Sequence, residues 1–274
     1  MSQDFDPIVA DWVSFISNPR YTLVEKCLKL AQTLEYPDLN ISEYAQKLSM
    51  MGKTLQDSLT DVKNPTYLIS MLNEYMFDAL GFVGEQDDYY NPKNNFLNVI
   101  IDKKSGIPIT LSVIYVEIAK HIGLDLRLVG FPSHVLVKYS EEMILDPYGK
   151  GRLLTVEDLQ DLLDRNYGGG VQFSPEFLNE TDDEKILIRM VRNLKNSYIQ
   201  SFNYDMAMHC INMILGVEPD SPGEIRDRGI LESRLLQYNH AIMSLNRYLE
   251  LSPEAEDADF VLDLIRSIKE RINQ

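Results

Sequence analysis

Two residues near the middle of this 274-residue chain have types and spacing suited to moving protons. His134 opens the alternating run His134-Val135-Leu136-Val137-Lys138-Tyr139, and Asp146 follows the short apolar run Met143-Ile144-Leu145. Both runs read as strands, with Glu141-Glu142 as the turn between them. Adjacent antiparallel strands can bring the Asp146 carboxylate to the His134 ring. A carboxylate that orients an imidazole is the base half of a nucleophile–His–Asp arrangement. The nucleophile's usual place is a helix N-terminus, where the dipole lowers a thiol's pKa. Such a helix is predicted from Pro108: Ile107, Leu111, Ile114, Tyr115, Ile118, Ala119 and Ile122 recur every three or four residues, and Gly123 is the stop.

Hydroxyls are the nucleophiles on that helix, and neither is well placed by helix geometry. Ser112 shares a face with Pro108 but lies about 5–6 Å further along the axis. Thr110 is rotated by about 200° from it. A hydroxyl also starts from a higher pKa than a thiol and needs close contact with its base. The two cysteines lie elsewhere, and Cys27 falls on the apolar stripe Val24, Cys27, Leu28, Ala31, Leu34, which reads as packing. His121, His134, His209 and His240 lack two-His helical spacing, so no metal and no cofactor is expected. His121 reads as the polar side of its helix. Gly168-Gly169-Gly170 is followed by no helix with a lysine, so it reads as a linker and not a phosphate loop. Of the eleven methionines, Met50, Met51, Met71, Met76, Met206, Met208 and Met213 sit in helical settings that suit core filling.

The elements around these residues change character along the chain. The first 85 residues or so read as helices: one stripe at 24–34, a helix over 41–62 punctuated by Asn64-Pro65, and another over 67–80 stopped by Gly81. Residues 84–95 read as a loop. After Gly123 the period drops to two, giving strands at 126–129, 134–139 and 143–145. Thr155-Val156-Glu157-Asp158 caps a further helix. The fold class is therefore α+β and mostly helical, with a small antiparallel sheet packed on a central helix.

Beyond the glycine run the chain is helical again, and Thr181-Asp182-Asp183-Glu184 reads as a capping box before Ile186–Tyr198. Tyr204 and Tyr238, Ala207 and Ala241, Asn212 and Asn246, Leu215 and Leu249, and Pro219 and Pro253 all repeat at a spacing of 34. That is the tetratricopeptide period. The last helix, with Phe260, Val261, Leu264, Ile265, Ile268 and Ile272 on one side, reads as a cap on the array. The expected domains are 1–167, with a core at about 94–154, and a tetratricopeptide-like region at 181–274.

Gly106-Ile107-Pro108-Ile109-Thr110-Leu111-Ser112, Gly130-Phe131-Pro132-Ser133-His134 and Asp146-Pro147-Tyr148-Gly149 occur in that order. Residues 94–154 thereby resemble the transglutaminase-like superfamily, in its SirB-related branch that often carries tetratricopeptide repeats behind it. The resemblance implies a cysteine-protease-type core with a helix-borne Cys, a strand-borne His and a following Asp. In catalytic relatives the cysteine stands two residues after the motif glycine, with a second glycine 17 residues beyond the first. Gly106 and Gly123 keep that spacing, and the cysteine's position is Pro108. His134 and Asp146 match the remaining pair.

Composition sets the surroundings. Asp and Glu number 42 against 26 Lys and Arg, a net charge of −16 that repels polyphosphate and argues against nucleic-acid binding. No apolar run approaches the ~20 residues of a membrane span. Met1-Ser2-Gln3-Asp4-Phe5-Asp6 lacks a signal-peptide pattern, and two cysteines are too few for a disulfide scaffold, so a cytoplasmic protein is expected. The first functional reading is a non-catalytic protein- or peptide-interaction protein with a cysteine-less transglutaminase-like domain. The alternative is a hydrolase or acyl transferase using His134 and Asp146 with Ser112 or Thr110.

Overall fold

The computed structural model describes residues 7–59 and 64–273. The first six residues, read above for a leader pattern, and the end of the helix expected over 41–62 lie outside the described residues. Helices α1 (Pro7–Ile16), α2 (Leu23–Leu34), α3 (Ile41–Ser58), α4 (Pro65–Asn73) and α5 (Leu97–Lys103) precede α6 (Pro108–His121). Helix α4 runs on into a π-helical turn, Glu74–Ala79, and residues 92–95 of the expected loop form a 3-10 turn. Two-residue strands β1 (Val83–Gly84) and β2 (Ser105–Gly106) pair in parallel.

Helix α6 is the axis around which this part is built. It is apolar on nearly all sides, and all its residues are buried except Glu117, Lys120 and His121. A helix hydrophobic all round belongs inside a core. Gly106 enters it closely, because a Cβ there would stand 2.9 Å from both Ile100 Cγ2 and Thr110 Oγ1. His121 stands with Glu117 and Lys120 on the less buried side of α6, as expected, and its ring also lies against Gly52 of α3, where an added Cβ would meet it at 2.3 Å. The half-buried imidazole fills the space left by the missing side chain.

Strands β3 (Arg127–Val129), β4 (Leu136–Ser140), β5 (Met143–Asp146) and β6 (Arg152–Leu153) form an antiparallel sheet in that order. Val137 pairs with Leu145 and Lys138 with Ile144, and a bulge follows at Lys138/Ser140. Helix α7 (Val156–Tyr167) starts from the Thr155 capping box and ends at Gly168, which takes the left-handed conformation at φ 60°. The glycine run is therefore a helix stop and not a free linker. Beyond it Val171, Phe173 and Phe177 pack on the sheet's core with Phe131, Leu136, Leu159 and Leu163, and Thr181 N–H donates to Leu128 O. The cap of α8 (Asp183–Gln200) is Asp182, whose carboxylate accepts from Lys185 N–H at 2.8 Å. Thr181, expected as the cap, instead accepts from Gly130 N–H at 2.8 Å.

Helices α9 (Tyr204–Val217), α10 (Pro222–Arg234), α11 (Tyr238–Leu251) and α12 (Ala258–Ile272) complete the chain. The 34-residue period holds in detail. Tyr204 and Tyr238 each begin a helix, Ala207 and Ala241 are fully buried, and Pro219 and Pro253 each stand two residues beyond a helix end. Phe202 and Leu236, also 34 apart, both adopt a left-handed conformation before α9 and α11. Gly229 lets α10 approach α11, since a Cβ there would lie 2.7 Å from Leu245. Two compact units divide the chain: one runs Phe15–Met190, and the other joins the α1 residues up to Ser14 with the chain from Val191.

Candidate functional site

His134 is not the first residue of its strand; it ends a tight turn two residues before β4. His134 N–H donates to Phe131 O at 3.0 Å, and Ser133 turns the chain at φ 57°. Left-handed backbone is unfavourable for a non-glycine residue, so the surroundings must hold it. Phe131 anchors one side, fully buried with its ring edge-on to Phe177. Arg189 donates to Phe131 O at 2.8 Å from the other side, and Ser133 Oγ donates to Tyr167 Oη at 2.9 Å.

The turn delivers His134 Nε2 to Asp146 Oδ1 at 2.9 Å, with the two residues only 9% and 7% exposed. The Tyr148 N–H donates to the same carboxylate oxygen at 3.1 Å. Gly149 leaves room for the other oxygen, because a Cβ there would stand 2.8 Å from Oδ2. With the carboxylate accepting at Nε2, the neutral ring carries its proton there and presents Nδ1 as an acceptor. The Tyr148 ring packs edge-on to the imidazole at 5.9 Å and is fixed by its hydroxyl, which donates to Glu85 O at 2.6 Å.

A groove of about 600 Å³ opens on this pair, lined also by Pro108, Ser133, Tyr148 and Arg165. Pro108 brings the first turn of α6 to it. The two hydroxyls proposed from sequence do not reach it. Ser112 Oγ donates to Val135 O at 3.1 Å, fastening α6 to the residue after His134. Thr110 Oγ1 accepts from Ile107 N–H at 3.2 Å and lies within hydrogen-bond distance of Ile107 O and Asn94 O. Both residues are fully buried. Cys27 and Cys210 are also fully buried, and burial pushes both thiols well above their ordinary pKa. Cys27 Sγ stands 3.5 Å from Met190 Sδ, and neither cysteine lines the groove.

Sequence reasoning missed Tyr89, Tyr90, Arg152 and Arg165, which also line the groove. Their local sequence carried only turn and helix signals, and tertiary folding alone assembles them. Among the described residues no group of three His, Cys, Asp or Glu side chains is placed to hold a metal. No described helix is long and apolar enough to cross a membrane.

Residues 42–192 match the profile of the transglutaminase-like superfamily, and residues 194–266 match that of the tetratricopeptide repeat. A UPF0162 protein of Xylella fastidiosa is 33% identical over 233 residues, covering 83% of each chain. A UPF0162 protein of Haemophilus influenzae is 27% identical over 209 residues, 75% of this chain and 78% of that one. Human F-box only protein 21 is 27% identical over 177 residues, which are 59% of this chain but 27% of that protein. The profile match covers the helix start at Pro108, the turn that carries His134 and the strand that ends at Asp146, and the chain belongs to the transglutaminase-like superfamily, with a tetratricopeptide-repeat region behind that domain.

Proposed function

We propose that the protein is a non-catalytic, cytoplasmic interaction protein. Its transglutaminase-like domain offers a binding groove, and residues 181–274 offer a helical surface to a protein or peptide partner. Pro108 carries the reading: it lines the groove with His134, and the resemblance to catalytic relatives implies a cysteine at its position. A proline ring supplies no nucleophile, and the nearest helix hydroxyls, Ser112 and Thr110, are engaged with the backbone. The net charge of −16 favours a basic partner and disfavours nucleic acid.

The retained His134–Asp146 hydrogen bond favours a second reading, a hydrolase or acyl transferase with His134 as base and Asp146 as its orienter. One experiment separates the two. The full chain is incubated with ester, amide and glutamine-transamidation substrates beside His134→Ala. The interaction reading expects no turnover above buffer in either protein, together with crosslinks to a bound partner that concentrate on residues 181–274. Turnover that His134→Ala abolishes would establish the enzyme reading instead.

A further inference from the structure

We infer that the His134 groove binds the end of a peptide through its free C-terminal carboxylate; this rests on the groove being a binding site and names what it binds. The first argument is charge. Acids outnumber bases 42 to 26 over the chain, yet Arg152 and Arg165 line this groove with Asp146 as the one acid among its lining residues. Arg152 is engaged with Asp158 at 2.9 Å, whereas Arg165 has no carboxylate partner among the described residues. A third guanidinium, that of Arg189, stands behind the turn near Tyr89 and Tyr167 and is bonded there to the Phe131 carbonyl. A larger cavity of this unit, about 860 Å³, has the opposite character, with Glu180, Asp182, Asp183 and Glu184 against Lys120 and Arg127. The groove's lining thus carries one more cation than anion, against the acidic excess of the whole chain.

The second argument is an unused hydrogen-bonding atom. His134 is nine-tenths buried and bonded to Asp146 through Nε2, while Nδ1 has no partner among the described residues and the residue lines the groove. A neutral Nδ1 accepts an N–H. The last residue of a peptide offers both groups the groove lacks: a planar carboxylate for an arginine fork and an amide N–H for the imidazole. The first turn of α6, entering through Pro108, adds the positive end of its dipole. The Asp146 charge beside the imidazole weighs against a dianion, so a carboxylate suits the groove better than a phosphate. Tyr90, 62% exposed at the rim, supplies an aromatic face for the side chain of that last residue.

The test is calorimetric titration of the full chain with N-acetyl-glycyl-phenylalanine, its C-terminal amide, and an amidated peptide that carries a glutamate side chain. The free acid is expected to bind at least about tenfold more tightly than either amidated peptide. Arg165→Ala, a change at an exposed residue, is expected to erase that preference, and Arg165→Lys to keep part of it. His134→Gln tests the second contact and is expected to weaken the acid and both amides alike. Equal affinity for acid and amide, an unchanged preference in Arg165→Ala, equal binding of the glutamate peptide, or no saturable binding at millimolar acid would each overturn the inference. Hydrolysis of the amide during the titration would instead overturn the non-catalytic reading, leaving the acid's affinity to be scored separately.

Discussion

Around α6 the fully buried hydroxyls of Thr110 and Ser112 answer to backbone carbonyls, and the buried carboxylate of Asp146 is held by His134 and an N–H. In the repeat unit the buried positions carry full charges. Lys195, 5% exposed, reaches Glu224 and Asp227, and Glu224, 3% exposed, also receives Arg192. Arg226 continues the chain of ion pairs from Asp227 to Asp257, where the Tyr248 hydroxyl ends it. The difference follows from what each part must specify. Helix α6 has one place to go, because only a core accepts a rod that is apolar on every side. Helices that repeat every 34 residues present similar faces, and shape alone distinguishes their neighbours poorly. Lys195 and Arg192 are three apart on α8, as are Asp227 and Glu224 on α10, so the charges name the partner helix. Buried ion pairs add little net stability but are severe when broken.

The largest expected effect therefore lies in the repeats. Glu224→Ala leaves Lys195 and Arg192 short of a partner and should lower unfolding free energy by about 3–5 kcal/mol in a denaturant titration. A loss below about 1 kcal/mol would mean that the network is dispensable. Pairing it with Lys195→Met should recover part of the loss, a coupling that a double-mutant cycle reads directly.

The core should answer differently, by gaining chemistry without losing its fold. Pro108→Cys places a thiol in the groove beside His134, and iodoacetamide at neutral pH should label it at least about tenfold faster than Cys27 or Cys210. Adding His134→Ala should slow that labelling. Equal rates would separate residue 108 from the imidazole. Ser112→Ala removes the donor to Val135 O and should cost about 1–2 kcal/mol, because the carbonyl is left unpaired in the interior.

The smaller effects concern local backbone and caps. Phe202 and Leu236 are 76% and 68% exposed in left-handed turns, so glycine at either should raise stability by up to about 1 kcal/mol, visible as a higher Tm. The Thr155 N–H and hydroxyl hold the Asp158 carboxyl below its ordinary pKa. Its folded value is the lower one, so its contribution is present above the unfolded value and fades as pH falls through the folded one. Asp158→Asn should flatten that acid limb in denaturant titrations repeated across pH.

Where one local signal decided an element, the sequence was legible. Pro108 and Gly123 bracket α6 (Pro108–His121), Asp146 ends β5, and Tyr204 and Tyr238 mark the repeat starts. The approach of His134 to Asp146 followed from two antiparallel runs and a turn. What was hidden depended on partners distant in sequence. Thr181 looks like a cap until Gly130 N–H claims its hydroxyl. Nothing near His121 announces Gly52, and the bend at Ser133 depends on Phe131, Phe177 and Arg189 arriving together. Arg165, on a helix that reads as ordinary, becomes notable only when the groove forms around it.

Proline at position 108 also bears on how this groove can change over generations. Proline and cysteine codons differ at both their first and second bases, so no single substitution returns a thiol there. The intermediates along that path are serine and arginine. Serine would set a hydroxyl in the groove with His134, and arginine would add a further cation to it. Each neighbouring genotype therefore tilts the groove toward a different future, one toward acyl chemistry and the other toward tighter anion capture.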